Sequence, residues 1–349
     1  MKKGEKSLGV LYRKYRPQVF EDVIGQEHIV KVLEGAVSLG NISHAYLFSG
    51  SRGTGKTSLA RILARAIGTS PHDLVEMDAA SQTSVDDIRE LNEGVYTLPY
   101  DSKYKVYILD EAHMLSKSAF NALLKTLEEP PAHVVFILAT TALEKVPETV
   151  ISRCQTFTFK SPNLSVLKDF ALTIAKKEGA TLEPAAAELV ALLGDGSFRD
   201  AHGILEKVLS STKDKKITRE EVETVTGAPK SELVADILSA IVEKNLEKGV
   251  AAVQAATEAN ADMKLFAKLI LEHLRFLFLL RLKAGMDDYI GKQISEDDFK
   301  YLKDLAAKAG PDLTSETLLI FIEAYENSGR TSIPELALEI ALADSIKQV

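Results

Sequence analysis

Ala45-Tyr46-Leu47-Phe48-Ser49-Gly50-Ser51-Arg52-Gly53-Thr54-Gly55-Lys56-Thr57-Ser58 is the stretch that decides the fold. A short aromatic and apolar run predicts a strand over Ala45–Ser49, glycines punctuate the turn that follows, and the spacing predicts a helix over 58–67. Glycines at 50, 53 and 55 let the backbone curl so that the N–H groups of Gly50, Ser51, Arg52, Gly53, Thr54 and Gly55 turn inward. A helix N-terminus behind them, at Lys56, Thr57 and Ser58, adds partial positive charge, and Lys56 adds a formal one. This is the chemistry of a phosphate loop for ATP, with the Thr57 hydroxyl available to a magnesium ion. The strand before and the helix after separate it from an ordinary glycine-rich turn.

A second motif completes the expected site. Val106-Tyr107-Ile108-Leu109-Asp110-Glu111-Ala112-His113 reads as a buried strand ending on two adjacent carboxylates. Desolvated carboxylates are costly without a positive partner, and magnesium suits them. Asp110 is then the metal residue and Glu111 the base that polarises an attacking water. A helix-capping acidic pair is the plainer reading of the same dipeptide. His113 reads more readily as a structural neighbour than as a catalytic group.

Outward from these motifs the first 160 residues alternate strand-like and helical runs, which predicts a parallel five-stranded sheet with flanking helices. The expected strands are Ala45–Ser49, Leu74–Asp78, Lys105–Asp110, Val134–Thr140 and 156–159, the third and fourth apolar enough to be central. From about Ser161 apolar residues recur at helical spacing, with no further convincing strand, so the remainder is expected to be all α. Residues 161–228 read as a small helical domain of two or three helices, with starts at Glu183-Pro184 and at the capping Thr218. Ala228-Pro229-Lys230 reads as a linker, and 229–349 as a separate helical domain in which Met263–Leu282 is dense in Leu, Phe and Ile.

A length of 349 residues implies two or three domains. No apolar run approaches a membrane span and no signal peptide opens the chain, so a cytoplasmic protein without membrane contact is expected. The single cysteine, Cys154, cannot by itself build a disulfide or a cysteine zinc site, and no zinc is expected. The formal charge of −8 argues against a generally basic nucleic-acid binder. Residues 1–160 nevertheless hold 19 basic and 19 acidic residues, leaving 23 and 31 beyond, so any DNA contact is expected on the first part.

With these residues in place the chain resembles the AAA+ ATPases, and within them the gamma/tau subunits of bacterial DNA polymerase III. The resemblance rests on Tyr12-Arg13-Lys14-Tyr15-Arg16-Pro17, Val23-Ile24-Gly25-Gln26, His44-Ala45-Tyr46-Leu47-Phe48 and Asp78-Ala79-Ala80-Ser81. It continues through the run from Ala119 to Pro131, Leu138-Ala139-Thr140-Thr141, Ser152-Arg153-Cys154 and Gly196-Ser197-Phe198-Arg199-Asp200-Ala201. It runs from residue 12 to about 205; the C-terminal third is similar only in length and helical character.

The resemblance implies that Tyr15, Arg16, Pro17, Val23 and Ile24 meet the base and ribose of ATP. It implies that Thr141 and Arg199 read the terminal phosphate, and that Arg153 is a finger reaching the ATP of a neighbouring subunit. Without it, Arg153 and Arg199 are ordinary surface charges. It further implies a helical lid over 161–228, a helical collar over 229–349, and partnership with delta-type and delta-prime-type subunits, further copies of itself, and the sliding clamp. Primed template DNA would be held by its phosphates through Arg89 and Thr83. Arg89 is read equally well as a helix-surface ion pair. The chain departs from the family at Gln82 and Ser84, where basic residues are common, and in passing from Gly68 to Asp73 without the four-cysteine zinc module. Its length resembles the short, gamma-like form. Two other readings are a non-hydrolysing delta-prime-type subunit, against which Lys56, Thr57, Asp110 and Glu111 argue, and a branch-migration helicase, which usually ends in a winged domain.

Overall fold

A computed structural model of the chain describes residues 11–81, 85–212, 215–282, 285–310 and 313–347. It divides into two compact units, Met1–Asn163 with Gly196–Asp200, and Leu164–Asp195 with Ala201–Val349.

The first unit is a five-stranded parallel sheet. Its strands are β1 (Ala45–Ser49), β2 (Leu74–Asp78), β3 (Lys105–Asp110), β4 (Val134–Thr140) and β5 (Gln155–Thr158), in the order β2-β3-β4-β1-β5. Alternation explains why it is covered on both faces. Ala45 and Leu47, Tyr107 and Leu109, and Phe136 and Leu138 point into one core with the helices Val85–Val95 and Lys117–Glu128. Tyr46 and Phe48, Val106 and Ile108, and Val135 and Ile137 point into the other, with the helices Glu27–Leu39 and Lys56–Ala66. β1 and β4 are buried along their whole length. Each buried aromatic such as Phe48 or Phe136 contributes roughly 1.5–3 kcal/mol of apolar transfer energy. The three interior strands are thus β3, β4 and β1, where composition marked out only β3 and β4; β5 begins and ends one residue earlier than expected.

The fold class is a parallel α/β domain with flanking helices, followed by helices. Among the described residues four helices, not two or three, lie between 161 and 228: Leu164–Lys177, Pro184–Gly194, Phe198–Ser211 and Arg219–Thr226. Pro184 sits in the first turn of its helix, and Thr218 caps the last of the four with a full capping box to Glu221. The expectation of an all-α remainder needs one correction. Two-residue strands β6 (Thr181–Leu182) and β7 (Lys216–Ile217) pair in parallel, joining the loops ahead of two of these helices. Ala228 and Pro229 are buried, and the contact pattern does not divide the chain there. Met263–Leu282 forms one 20-residue helix burying Phe266, Ile270, Leu274 and Phe276, and it packs on the helices Glu296–Lys308 and Ser315–Asn327. No described helix is long and apolar enough to cross a membrane.

Candidate functional site

Parallel strands bring their C-terminal ends to one edge, and ligands of open α/β sheets bind at such an edge. Here the order β3-β4-β1 sets Asp110, Thr140 and Ser49 side by side. Thr140 is in register with Ser49, and Gly50 N–H donates to Thr140 O at 3.2 Å.

The loop after β1 holds its glycines in the left-handed half of backbone space, Gly53 at φ +75 and Gly55 at φ +99. At Gly53 a methyl group would stand 1.9 Å from Ser197 Oγ; at Gly50 it would stand 2.6 Å from the Phe159 carbonyl oxygen. Both positions therefore exclude a side chain for reasons of space as well as φ. The amides of Arg52, Gly53 and Gly55 donate to no protein group among the described residues. Thr54 Oγ1 donates to Ser51 O at 2.9 Å and closes the turn.

Lys56, in the first turn of its helix and only 6% exposed, donates from Nζ to Gly50 O at 2.7 Å and Ser51 O at 2.8 Å. Burial lowers its pKa, while Glu111 and Asp110 act in the opposite direction. Thr57 Oγ1 donates to Asp110 Oδ2 at 2.7 Å, and Asp110 Oδ1 accepts from Glu111 N–H at 3.0 Å. Glu111 lies in the left-handed region at φ +47, rare for a residue with a side chain. Its Oε2 accepts from Thr141 Oγ1 at 2.9 Å and lies 3.4 Å from His113 Nδ1. His113 Nδ1 is also 3.1 Å from Thr140 Oγ1. The structure thus brings together Gly50 to Thr57, Asp110, Glu111, Thr141 and His113.

Arg199 joins them from far along the chain. Phe198 N–H donates to Gly53 O at 3.1 Å, and Ser197 Oγ accepts from Asp200 N–H, so the phosphate-loop turn seats the start of the Arg199 helix. The Arg199 guanidinium lies over the Tyr12 ring, 5.9 Å from its centre. Both line a cleft of about 740 Å³ with Arg13, Arg16, Gln18, Arg52 and Arg61. Burial, then repulsion by Arg61 and Arg199, lowers the Arg16 pKa. Five guanidiniums around one opening complement a polyanion. Glu76 pairs with one of them, Arg61, through both carboxylate oxygens.

Of the expected base-contacting residues, Tyr15, Arg16, Pro17 and Val23 are partly buried and Ile24 is 47% exposed. Gln26, fully buried behind them, ties the segment to the end of β5. Its Nε2 donates to Lys160 O at 2.8 Å and its Oε1 accepts from Lys160 N–H at 3.1 Å. Sequence reading missed Gln26, Tyr12, Arg13, Gln18 and Arg61 as site residues. Arg61 was within reach of it, since Thr57, Arg61 and Arg65 recur at four-residue spacing on one helical face. Ser58 is half-buried in the first turn of its helix. Arg153 stands elsewhere, donating to Glu128 Oε1 at 2.5 Å and Thr149 O at 2.6 Å. Arg89 lies on the exposed side of the helix Val85–Val95, and Thr83 lies outside the described residues.

The donor set fits a nucleoside triphosphate with a hard divalent cation: unengaged backbone amides, one ammonium, and a hydroxyl beside a carboxylate.

Comparison with known proteins bears on this geometry. Residues 69–163 match the model of the DNA polymerase III delta subunit family, and residues 217–346 match that of DNA polymerase III subunits gamma and tau, domain III. The chain is 38% identical to DNA polymerase III subunit gamma of Buchnera aphidicola, over 85% of this chain and 83% of that one. It is 35% identical to DNA polymerase III subunit tau of Bacillus subtilis over 96% of its own length, and spans 63% of that relative. Among solved structures, the Holliday junction branch migration motor RuvB of Thermotoga maritima superposes with a TM-score of 0.53 at 22% identity, covering 83% of this chain and 98% of that one. That likeness concerns the fold.

Proposed function

The chain belongs to the DNA polymerase III gamma/tau family, and from that premise we propose that it is an ATP-hydrolysing motor subunit of a sliding-clamp loader. The observation that carries the reading is the convergence of Lys56, Thr57, Asp110, Glu111 and Thr141 on one sheet edge. A delta-prime-type subunit without turnover has no use for that set.

In this reading the amides of the 50–55 loop and the Lys56 ammonium grip the phosphates, and the cleft arginines add to the attraction. Thr57 and Asp110 would hold magnesium, which when bound offsets phosphate charge. Tyr15, Arg16, Pro17, Val23 and Ile24 flank the base and ribose. Glu111 accepts the proton of the attacking water, its carboxylate aimed by the Thr141 hydroxyl and its own strained backbone. Arg199, seated by Gly53, faces charge on the terminal phosphate. Arg153, partly exposed and paired with Glu128, acts on a neighbour's nucleotide, so turnover depends on assembly. Residues 161–228 serve as lid and 229–349 as the collar that joins further copies to delta-type and delta-prime-type subunits. ATP binding favours the state that opens the clamp and grips primed DNA by its phosphates, with Arg89 and Thr83 among the contacts, and hydrolysis releases it. The reading supplies no zinc role and places the protein in the cytoplasm. A branch-migration motor is disfavoured because the only strands among the described residues of the second unit are the two-residue β6 and β7.

The test is ATP turnover by the chain mixed with delta-type and delta-prime-type subunits, clamp and primed DNA. Turnover is expected to be low for the chain alone and stimulated on mixing. Arg153→Ala is expected to remove the stimulation while leaving nucleotide affinity within about twofold. Stimulated turnover that survives Arg153→Ala would overturn the finger assignment, and no stimulation of the unaltered chain would overturn the motor reading.

A further inference from the structure

A second cluster of ligand-bearing side chains lies wholly inside the helical unit. Glu188 from Pro184–Gly194, His273 from Met263–Leu282 and Asp298 from Glu296–Lys308 each place a ligand atom within 4.8 Å of the other two. Glu188 is fully buried, and its Oε1 has no hydrogen-bond partner. An orphaned carboxylate oxygen in a protein interior costs several kcal/mol and calls for an explanation.

The outer atoms of all three groups are tied down. His273 Nδ1 donates to Leu269 O at 2.8 Å, which leaves Nε2 as the nitrogen it can offer. Burial lowers the His273 pKa. Glu188 Oε2 accepts from Ser295 N–H at 2.5 Å, leaving Oε1. Asp298 Oδ2 accepts from Arg219 Nη1 and from Ser295 Oγ, both at 2.9 Å, leaving Oδ1. One ligand atom from each of the three groups thus lies within 4.8 Å of the others, and the buried Glu188 Oε1 among them has no partner. Second-sphere bonds of this kind, an imidazole N–H to a backbone carbonyl and carboxylates held by outer donors, are those that orient metal ligands.

We propose that Glu188, His273 and Asp298 form a binding site for one divalent transition-metal ion of the zinc class, joining three helices of the second unit. An imidazole with two carboxylates suits zinc better than magnesium or calcium, which take oxygen ligands. Three protein ligands leave a fourth position to water. Metal–ligand bonds of about 2.0–2.2 Å in a tetrahedral set place ligand atoms about 3.3–3.6 Å apart, so atoms as far apart as 4.8 Å would close on the ion by roughly 1.2–1.5 Å. Arg219, engaged also by Glu223, and Lys168, which donates to Ile294 O, are the neighbouring cations. With Glu188, Asp298 and Glu223 ionised they leave an excess of negative charge. A proton is the competing occupant, because burial, and then Asp298, pushes the Glu188 pKa up to about 7.

The experiment uses the full chain without an affinity tag, stripped by chelator and titrated with Co²⁺ in excess Mg²⁺. One equivalent of cobalt with the visible bands of a low-coordinate ion is expected. Zn²⁺ should displace it and raise the thermal midpoint. His273→Gln should abolish the bands, and Glu188→Gln or Asp298→Asn should weaken zinc at least about tenfold, with circular dichroism confirming that each variant folds. A featureless spectrum of the unaltered chain overturns the proposal whatever the variants do. So do bands that survive His273→Gln, and so does a Glu188→Gln midpoint raised without metal in a chain that takes up no cobalt, which would identify the occupant as a proton.

Discussion

Glu111 combines a left-handed backbone with a carboxylate held by the Thr141 hydroxyl. A residue with a side chain held at φ +47 costs of order 1–2 kcal/mol, and such strain persists where surroundings over-determine it. Here the constraints are the Asp110 carboxylate on its N–H and the Thr141 hydroxyl on its own carboxylate. Glu111→Gln keeps shape and donor contacts but removes the proposed base. Its expected result is unaltered ATP affinity with turnover of the assembled complex reduced at least about 100-fold, measured by phosphate release under saturating ATP. Much of this was legible from residue types, since the glycine spacing, Lys56, Thr57 and the paired carboxylates state their chemistry in order. Gly53 shows what was not. Its spacing marked the loop, yet the contact that forbids a side chain there comes from Ser197, and nothing local announces that meeting. Gln26 was likewise hidden, because its partner Lys160 lies at the far end of the sheet domain.

At the level of elements the sheet was readable because buried parallel strands are short apolar runs with hard stops, and four of the five have the expected bounds. β1 was not recognised as central, since Tyr46 and Ser49 dilute its apolar character while both its faces are covered. β6 and β7 escaped because two residues are too few to show alternation. The connection from the helix Lys56–Ala66 into β2 holds a further element-scale device at Asp73. Burial alone would raise the Asp73 pKa. The Tyr100 N–H, the Ser102 donors and the Asp101 N–H outweigh it and bring the carboxyl far below the usual carboxylate range. A depressed folded-state pKa means that Asp73 contributes stability above the ordinary carboxylate range, lost as pH falls through and below it. Asp73→Asn is expected to lower the thermal midpoint near pH 7 and to weaken its fall between pH 5 and 3. Midpoints that track the unaltered chain at every pH would contradict this.

Across the whole molecule, the sequence resemblance ended near residue 205, whereas the gamma and tau domain III model covers residues 217–346. Helical packing surfaces explain the difference. A buried helix such as Met263–Leu282 requires only that Phe266, Ile270, Leu274 and Phe276 be apolar and large, so no short motif marks the family there. The loop glycines, Lys56, Thr57 and the paired carboxylates of the first unit permit no such exchange in the proposed site, and those motifs therefore stayed readable. The claim on which the account stands is that the edge formed by β1, β3 and β4 grips magnesium nucleotide. Its most direct test is equilibrium binding of a fluorescent ATP analogue to the full chain with and without Mg²⁺, beside Lys56→Ala. Saturable binding at one site per chain, strengthened by Mg²⁺ and weakened at least about tenfold by Lys56→Ala, is the predicted result. Binding that is absent, or indifferent to both the ion and Lys56, would contradict it.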